Sequence, residues 1–185
     1  MFRVVPRDLS APRTPLLGEE HLHTLHELRG KTYLVTLWAE WCAPCIFEMA
    51  DFATLNLHHE SRDFGVIAIL TGSEKKLDYK RADDLLRSKN AHLPLWVEPN
   101  GGSSLLDQLA VRPGVGKTLP CNLLVNAAGH IRGRSFGSSA IGMKMKDGRL
   151  SETDKVKLLS SNLHSAWATR DADVFVNALA GGVLS

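Results

Sequence analysis

The segment Lys31 to Ala39, KTYLVTLWA, limits the fold more than any other part of the sequence. It has the length of a strand, is rich in β-branched and aromatic residues, and is apolar at both odd and even positions. A strand that must hide both faces belongs in the middle of a sheet covered on both sides. The residues that follow, Glu40-Trp41-Cys42-Ala43-Pro44-Cys45, run into a stretch patterned as a helix from Ala43 to His59. Their chemistry therefore sits where a central strand ends and a helix begins.

The rest of the chain alternates in the same way. Phe64 to Thr71 (FGVIAILT) reads as a second buried strand, and Lys75 to Lys89 as a second helix. Leu93 to Val97 is a short strand entering a Pro99-Asn100-Gly101-Gly102 turn, and Ser103 to Val111 a short helix. Cys121 to Val125 and His130 to Ser135 read as a hairpin across the tight Asn126 to Gly129 turn. Met1 to Pro15 reads as an irregular arm, followed by a short strand at Leu16 and Leu17 that Gly18 ends. Beyond residue 137, Ser151-Glu152-Thr153-Asp154 forms a capping pattern, and a last helix near Asp173 to Ala180 stops at Gly181-Gly182. This order predicts an α/β layered domain with a mixed sheet and a C-terminal helical region over 138–185. At 185 residues the chain has the size of one domain and can bury a core without disulfide staples.

Charge narrows the partners. The net charge is only +2, and the densest basic cluster, Lys75, Lys76, Lys80 and Arg81, is interleaved with Asp78, Asp83 and Asp84. That is the pattern of a solvated helix face, so no nucleic-acid partner is expected. The longest apolar stretches are strand-sized, too short to span a membrane as a helix. Met1 to Pro15 lacks the apolar core of a signal peptide. The protein is therefore either cytoplasmic or the soluble part of one whose leader or anchor lay upstream of this numbering.

Three cysteines cannot build a disulfide framework, and two of them lie three residues apart, which suggests redox or metal chemistry. Cys42 falls at the start of the helix, where unpaired backbone N–H groups and the helix dipole favour a thiolate and lower its pKa. Pro44 suits the first turn, where its missing N–H has no intrahelical partner. Cys45 faces the same side one turn on and can resolve a mixed disulfide formed at Cys42. Thiol–disulfide exchange needs only these sulfurs, so neither cofactor nor metal is expected.

Leu37 to Cys45 (LWAEWCAPC) resembles the active-site stretch of thioredoxins. Leu28-Arg29-Gly30-Lys31 ahead of the strand, and Glu48-Met49 after the cysteines, resemble more closely the TlpA, ResA and DsbE group of thioredoxin-like reductases. Leu93-Pro94-Leu95-Trp96-Val97, Leu119-Pro120, Leu123-Leu124-Val125-Asn126 and Gly129-His130-Ile131 extend the similarity over about Leu16 to Gly137. The resemblance implies a thioredoxin fold with that group's helix-strand insert and an N-terminal extension. It implies a reductase of protein disulfides, serving cytochrome c or respiratory-oxidase maturation in the periplasm. It also implies cysteine-containing clients, a membrane or thioredoxin-type electron donor, and a tether outside this chain. Pro120 becomes the cis-proline facing the cysteine pair, with Leu119 and Trp41 lining the client's path. Glu48, expected half-buried on the flank of the Met49-Phe52-Ala53 stripe, becomes a proton carrier for Cys45.

Several residues depart from the pattern. Thr36 stands where thioredoxins carry a buried aspartate, which shifts proton handling toward Glu48. Ala50 replaces a proline common after the Glu-Met pair, and Phe47 points away from the apolar stripe. There it is open either to a partner or to a cap from the C-terminal region. Cys121 is a second resolving thiol, a third metal ligand, or simply a small buried strand residue. His21, His23 and His26, like His58 and His59, lack zinc-site spacing to the cysteines. Two rival functions remain. In a copper carrier, Cys42 and Cys45 hold Cu(I) with Cys121 or a late-loop histidine, for which His130 is the candidate. In a thiol peroxidase a Pro-x-x-x-Thr approach precedes the reactive cysteine, and Glu40-Trp41 before Cys42 does not fit it.

Overall fold

The computed structural model describes residues 3–59, 64–72, 78–99, 104–109 and 118–136. The elements run β1 (Arg3–Ser10), β2 (Leu16–Leu17), β3 (Leu22–His23), a 3-10 turn (Leu25–Glu27), β4 (Thr32–Trp38), α1 (Ala43–His59) and β5 (Phe64–Leu70). They continue with α2 (Tyr79–Ser88), β6 (Leu95–Val97), α3 (Ser104–Leu109), β7 (Cys121–Val125) and β8 (His130–Phe136). Among the described residues the strands form one mixed sheet in the order β1-β8-β7-β4-β5-β6-β2-β3.

β4 is central, as its two apolar faces demand. It pairs in parallel with β5 over Thr32↔Phe64 to Trp38↔Leu70 and antiparallel with β7 over Tyr33↔Val125 to Leu37↔Cys121. A parallel pair needs a crossover, and α1 supplies it. Val35, Leu37, Ile67, Ile69, Leu123 and Val125 are buried. Each such side chain contributes ~1.5–3 kcal/mol. The exposed Glu40–Arg81 pair, at 3.1 Å, adds little by comparison. The platform under the site is thus held by apolar strands.

α1 spans the predicted range, and among its side chains that the structure describes the buried ones are Cys45, Glu48, Met49, Phe52, Ala53 and Asn56. That is the i, i+3, i+4, i+7, i+8, i+11 stripe of one helix face. The second helix begins at Tyr79 rather than Lys75, because extended Asp78 caps it by accepting from the Lys80 N–H at 2.9 Å. Lys75 and Lys76 lie outside the described residues, as does the whole C-terminal region 138–185.

The expected irregular arm over Met1 to Pro15 is corrected at Arg3–Ser10, while residues 11–15 are irregular as expected. Arg3–Ser10 is a strand antiparallel to β8, with an irregularity between Val4 and Leu9, the interval that holds Pro6. Without it β8 would be an open edge, and a proline is tolerated on the edge strand that covers it. The strand at Leu16–Leu17 forms as expected and pairs with both β6 and the unforeseen β3. No helix among the described residues is long and apolar enough to cross a membrane.

Candidate active site

Register alone brings the site together. Trp38 pairs with Leu70 and Leu37 with Cys121, so the segments after β4, after β5 and before β7 emerge at one end of the sheet. Those segments carry Trp41-Cys42, Thr71-Gly72 and Leu119-Pro120. The Leu119-Pro120 bond is cis, as the resemblance implied, and Leu119 is 8% exposed.

Cys42 and Cys45 form a disulfide, with an S–S distance of 2.01 Å and Cα atoms 5.3 Å apart. The Cys42 N–H donates to the Ala39 carbonyl at 3.0 Å, and the Cys42 carbonyl accepts the first intrahelical bond, from Ile46 at 3.1 Å. Cys42 thus stands as the cap of α1. Its Sγ accepts the Cys45 backbone N–H at 3.4 Å, one of the donors a helix start leaves unused. That donor and the helix dipole favour negative charge on Cys42 sulfur. Cys42 keeps 4% exposure and Cys45 none.

Glu48 is 1% exposed, which corrects the half-buried position on the flank. It occupies the second place of the core stripe, three residues after Cys45, so the helix turns it inward with Met49. Thr36 and Asn122 are register partners on β4 and β7 and are both buried. Among the described residues Thr36 Oγ1 and Asn122 Oδ1 have no hydrogen-bond partner.

Around the cysteines the surface is apolar. Trp41 is 68% and Phe47 75% exposed, and Ala43 and Pro44 are exposed beside them. The Trp41 Nε1–H donates to the Gly72 carbonyl at 3.1 Å. Gly72 has φ +72°, a left-handed conformation that favours glycine. A Cβ there would meet Leu119 Cδ1 at 3.5 Å and Trp41 Cζ2 at 3.9 Å, so conformation rather than space calls for the glycine.

Sequence reasoning missed Thr71, Gly72 and Glu98 at this end. Glu98, 2% exposed, accepts from the Thr71 hydroxyl through Oε2 and from the Leu105 N–H through Oε1 at 3.1 Å. Only the Pro99 turn beside it was visible in the sequence.

Cys121 is fully buried on β7 and stands outside the Cys42–Cys45 disulfide. His130, the candidate copper ligand, starts β8 beyond the hairpin turn, at the opposite end of β7 from Cys121. Five strand residues separate those ends by ~17 Å, so His130 cannot join the cysteines around one ion. Among the described residues no three His, Cys, Asp or Glu side chains are grouped to hold a metal. His23 stacks on Trp96, with centroids 4.6 Å apart. His26 lies against Arg13 and Arg29, and the Arg13 guanidinium, before burial and Arg29, holds its imidazole below the ordinary pKa.

The sequence model of the AhpC/TSA family matches residues 8–134, more than half of the chain. Thiol-disulfide oxidoreductase ResA of Bacillus subtilis is 25% identical over 107 residues, covering 58% of this chain and 54% of that protein. Its namesake from Halalkalibacterium halodurans is 27% identical with the same coverage. The chain spans about half the length of these curated relatives. Among solved structures, a thioredoxin-family thiol:disulfide interchange protein from Chlorobium tepidum TLS matches with a TM-score of 0.56 at 16% identity, over 97% of this chain and 99% of that one. A DsbF homologue from Corynebacterium diphtheriae matches with a TM-score of 0.58 at 16% identity, over 86% and 92%. At such identities the two structures speak for the fold, which is that of thioredoxin.

Proposed function

The chain belongs to the AhpC/TSA family, and from that premise we propose that it is a thiol:disulfide oxidoreductase that reduces disulfides in client proteins. The observation that carries the reading is the Cys42–Cys45 disulfide at the start of α1, with Cys42 sulfur taking a backbone N–H. In the reduced protein the Cys42 thiolate attacks a client disulfide. One client sulfur joins Cys42 and the other leaves as a thiolate, which takes a proton from solvent. Cys45 then gives its proton to the Glu48 carboxylate and attacks Cys42 sulfur. The second client thiol leaves, and two electrons have passed from the pair to the client. An outside dithiol donor, membrane-bound or thioredoxin-like, restores the pair. The backbone of Leu119 before cis-Pro120, with Trp41 beside it, offers an extended client segment a short pairing edge.

The direction follows from what lies between the sulfurs. Ala43 and Pro44 carry no side-chain donor to stabilise the thiolate, and an ionised Glu48 opposes it. The pair therefore sits at a reducing potential, about −270 to −200 mV, rather than near the −120 mV of a dedicated oxidase. The similarity to ResA and DsbE supports clients in cytochrome c or respiratory-oxidase maturation, on the periplasmic side of a membrane.

Two measurements test the reading. Equilibration with glutathione followed by thiol quantitation gives the potential, and a value above about −150 mV reverses the proposed direction. Cys45→Ala should accumulate mixed disulfides through Cys42 when exposed to oxidised clients. If it captures none, while the wild type consumes peroxide with a thiol donor, the protein is a peroxidase instead.

A further inference from the structure

Glu98 stands at the end of β6, far in sequence from the cysteines, yet its carboxylate is buried and both oxygens are engaged. Oε1 takes the Leu105 N–H at the first turn of α3, and Oε2 takes the Thr71 hydroxyl. The Glu98 backbone N–H donates to the Leu70 carbonyl at 3.0 Å, and the Thr71 N–H to the Trp38 carbonyl at 2.8 Å. Thr71 is thus tied to β4 through its backbone and to the end of β6 through its side chain. The next residue, Gly72, turns its carbonyl to the Trp41 indole at 3.1 Å and lies against Leu119. An indole 68% exposed has few packing partners to hold its ring, so that hydrogen bond sets its orientation beside Cys42.

We propose that Glu98 is a positioning residue for client capture, acting through Thr71 and the Gly72 carbonyl to hold Trp41 in the client's path. The inference rests on the oxidoreductase reading for its client and on the hydrogen bonds for its latch. A carboxylate suits the role because it accepts from two donors on two segments at once. Methionine has nearly the length of glutamate but presents neither oxygen, so both bonds are lost. Glutamine would keep them, its oxygen accepting from the Leu105 N–H and its amide donating to the Thr71 hydroxyl. Removing the latch weakens client binding and leaves the exchange chemistry, which belongs to the sulfurs and Glu48.

The test uses the full chain with Glu98→Met and, because a buried substitution can disturb folding, Thr71→Val, which removes only the hydroxyl. Insulin is the disulfide substrate, and indole N–H exchange at Trp41 is followed by NMR. Each variant should speed Trp41 exchange and raise KM about fivefold, the factor one neutral hydrogen bond is commonly worth, with kcat changed much less. Trp41→Phe should raise KM alike, and adding Thr71→Val to it should raise KM no further. Unchanged Trp41 exchange in both variants, additive KM effects, or a loss confined to kcat overturns the proposal. A wild type that reduces no insulin defeats the oxidoreductase reading and the client role together. The exchange measurement then still decides whether Glu98 holds Trp41.

Discussion

At the β7–β8 hairpin, Asn126 holds its own turn together. Its Oδ1 accepts from the Ala128 N–H at 3.1 Å and the His130 N–H at 2.9 Å, and its backbone N–H donates to the His130 carbonyl. At the other end of the same strand the contacts around the cysteine pair join segments far apart in sequence. Cys121 pairs with Leu37, Trp41 reaches Gly72, and Glu98 reaches Thr71. The charges differ too: Arg13, His26 and Arg29 meet near the protein surface, whereas Glu48 and Glu98 are buried. A turn that closes within five residues needs no help from the core. The cysteine end, proposed to handle a thiolate and a proton away from bulk water, does, and it draws its polar groups from segments the sheet brings together.

The comparison breaks most visibly at Glu48. If its carboxylate carries the proton of Cys45, Glu48→Gln should slow resolution of the mixed disulfide by about a hundredfold. It should also flatten the pH dependence of that step, with thermal stability little changed. Stopped-flow kinetics across pH read both effects, and an unaltered profile removes Glu48 from the mechanism.

The hairpin end should respond in the opposite sense. Asn126→Ala leaves the Ala128 and His130 N–H groups without their side-chain acceptor and should cost about 1–2 kcal/mol of stability. Its effect on the reduction rate should be slight. Asn126→Asp, which keeps the acceptor oxygen, should recover most of the loss. Urea unfolding and insulin reduction, run on the same samples, decide whether the two ends are as independent as their bonding implies.

The smallest effect belongs to His26. Because Arg13 depresses its pKa in the folded protein, the unfolded chain takes up its proton first as the pH falls through about 6.5. The contribution is complete above that pH and is lost on acidification. It stays small because the group is near solvent. Arg13→Gln should raise the His26 pKa, followed by NMR, and reduce the pH dependence of unfolding in that range. A fixed His26 pKa would show that Arg13 does not act on it.

Much of this molecule was legible in one dimension. β4, α1, β5 and the hairpin follow from apolar runs, from the Asn126 to Gly129 turn, and from a cysteine pair at a strand–helix junction. All of these signals come from residues close in sequence. The strand at Arg3–Ser10 escaped because Pro6 and its charges hide any alternation, and because its reason for forming is the edge of β8. Glu48 was recognised, but its depth was misjudged, since a glutamate at a stripe position looks like a flank until the helix is seen against the sheet.

The sequence by itself determined which sulfurs meet, because a spacing of three on a helix brings Cys42 and Cys45 together whatever surrounds them. It also determined that they stand at a helix start, where backbone donors wait. Only the tertiary structure decided that Gly72 receives Trp41, that Glu98 grips Thr71, and that His130 lies too far away to join a metal site. Those facts depend on strand order and register, which bring distant residues within hydrogen-bond reach or carry them to opposite ends of a strand. Local preferences along the chain hold no record of that choice.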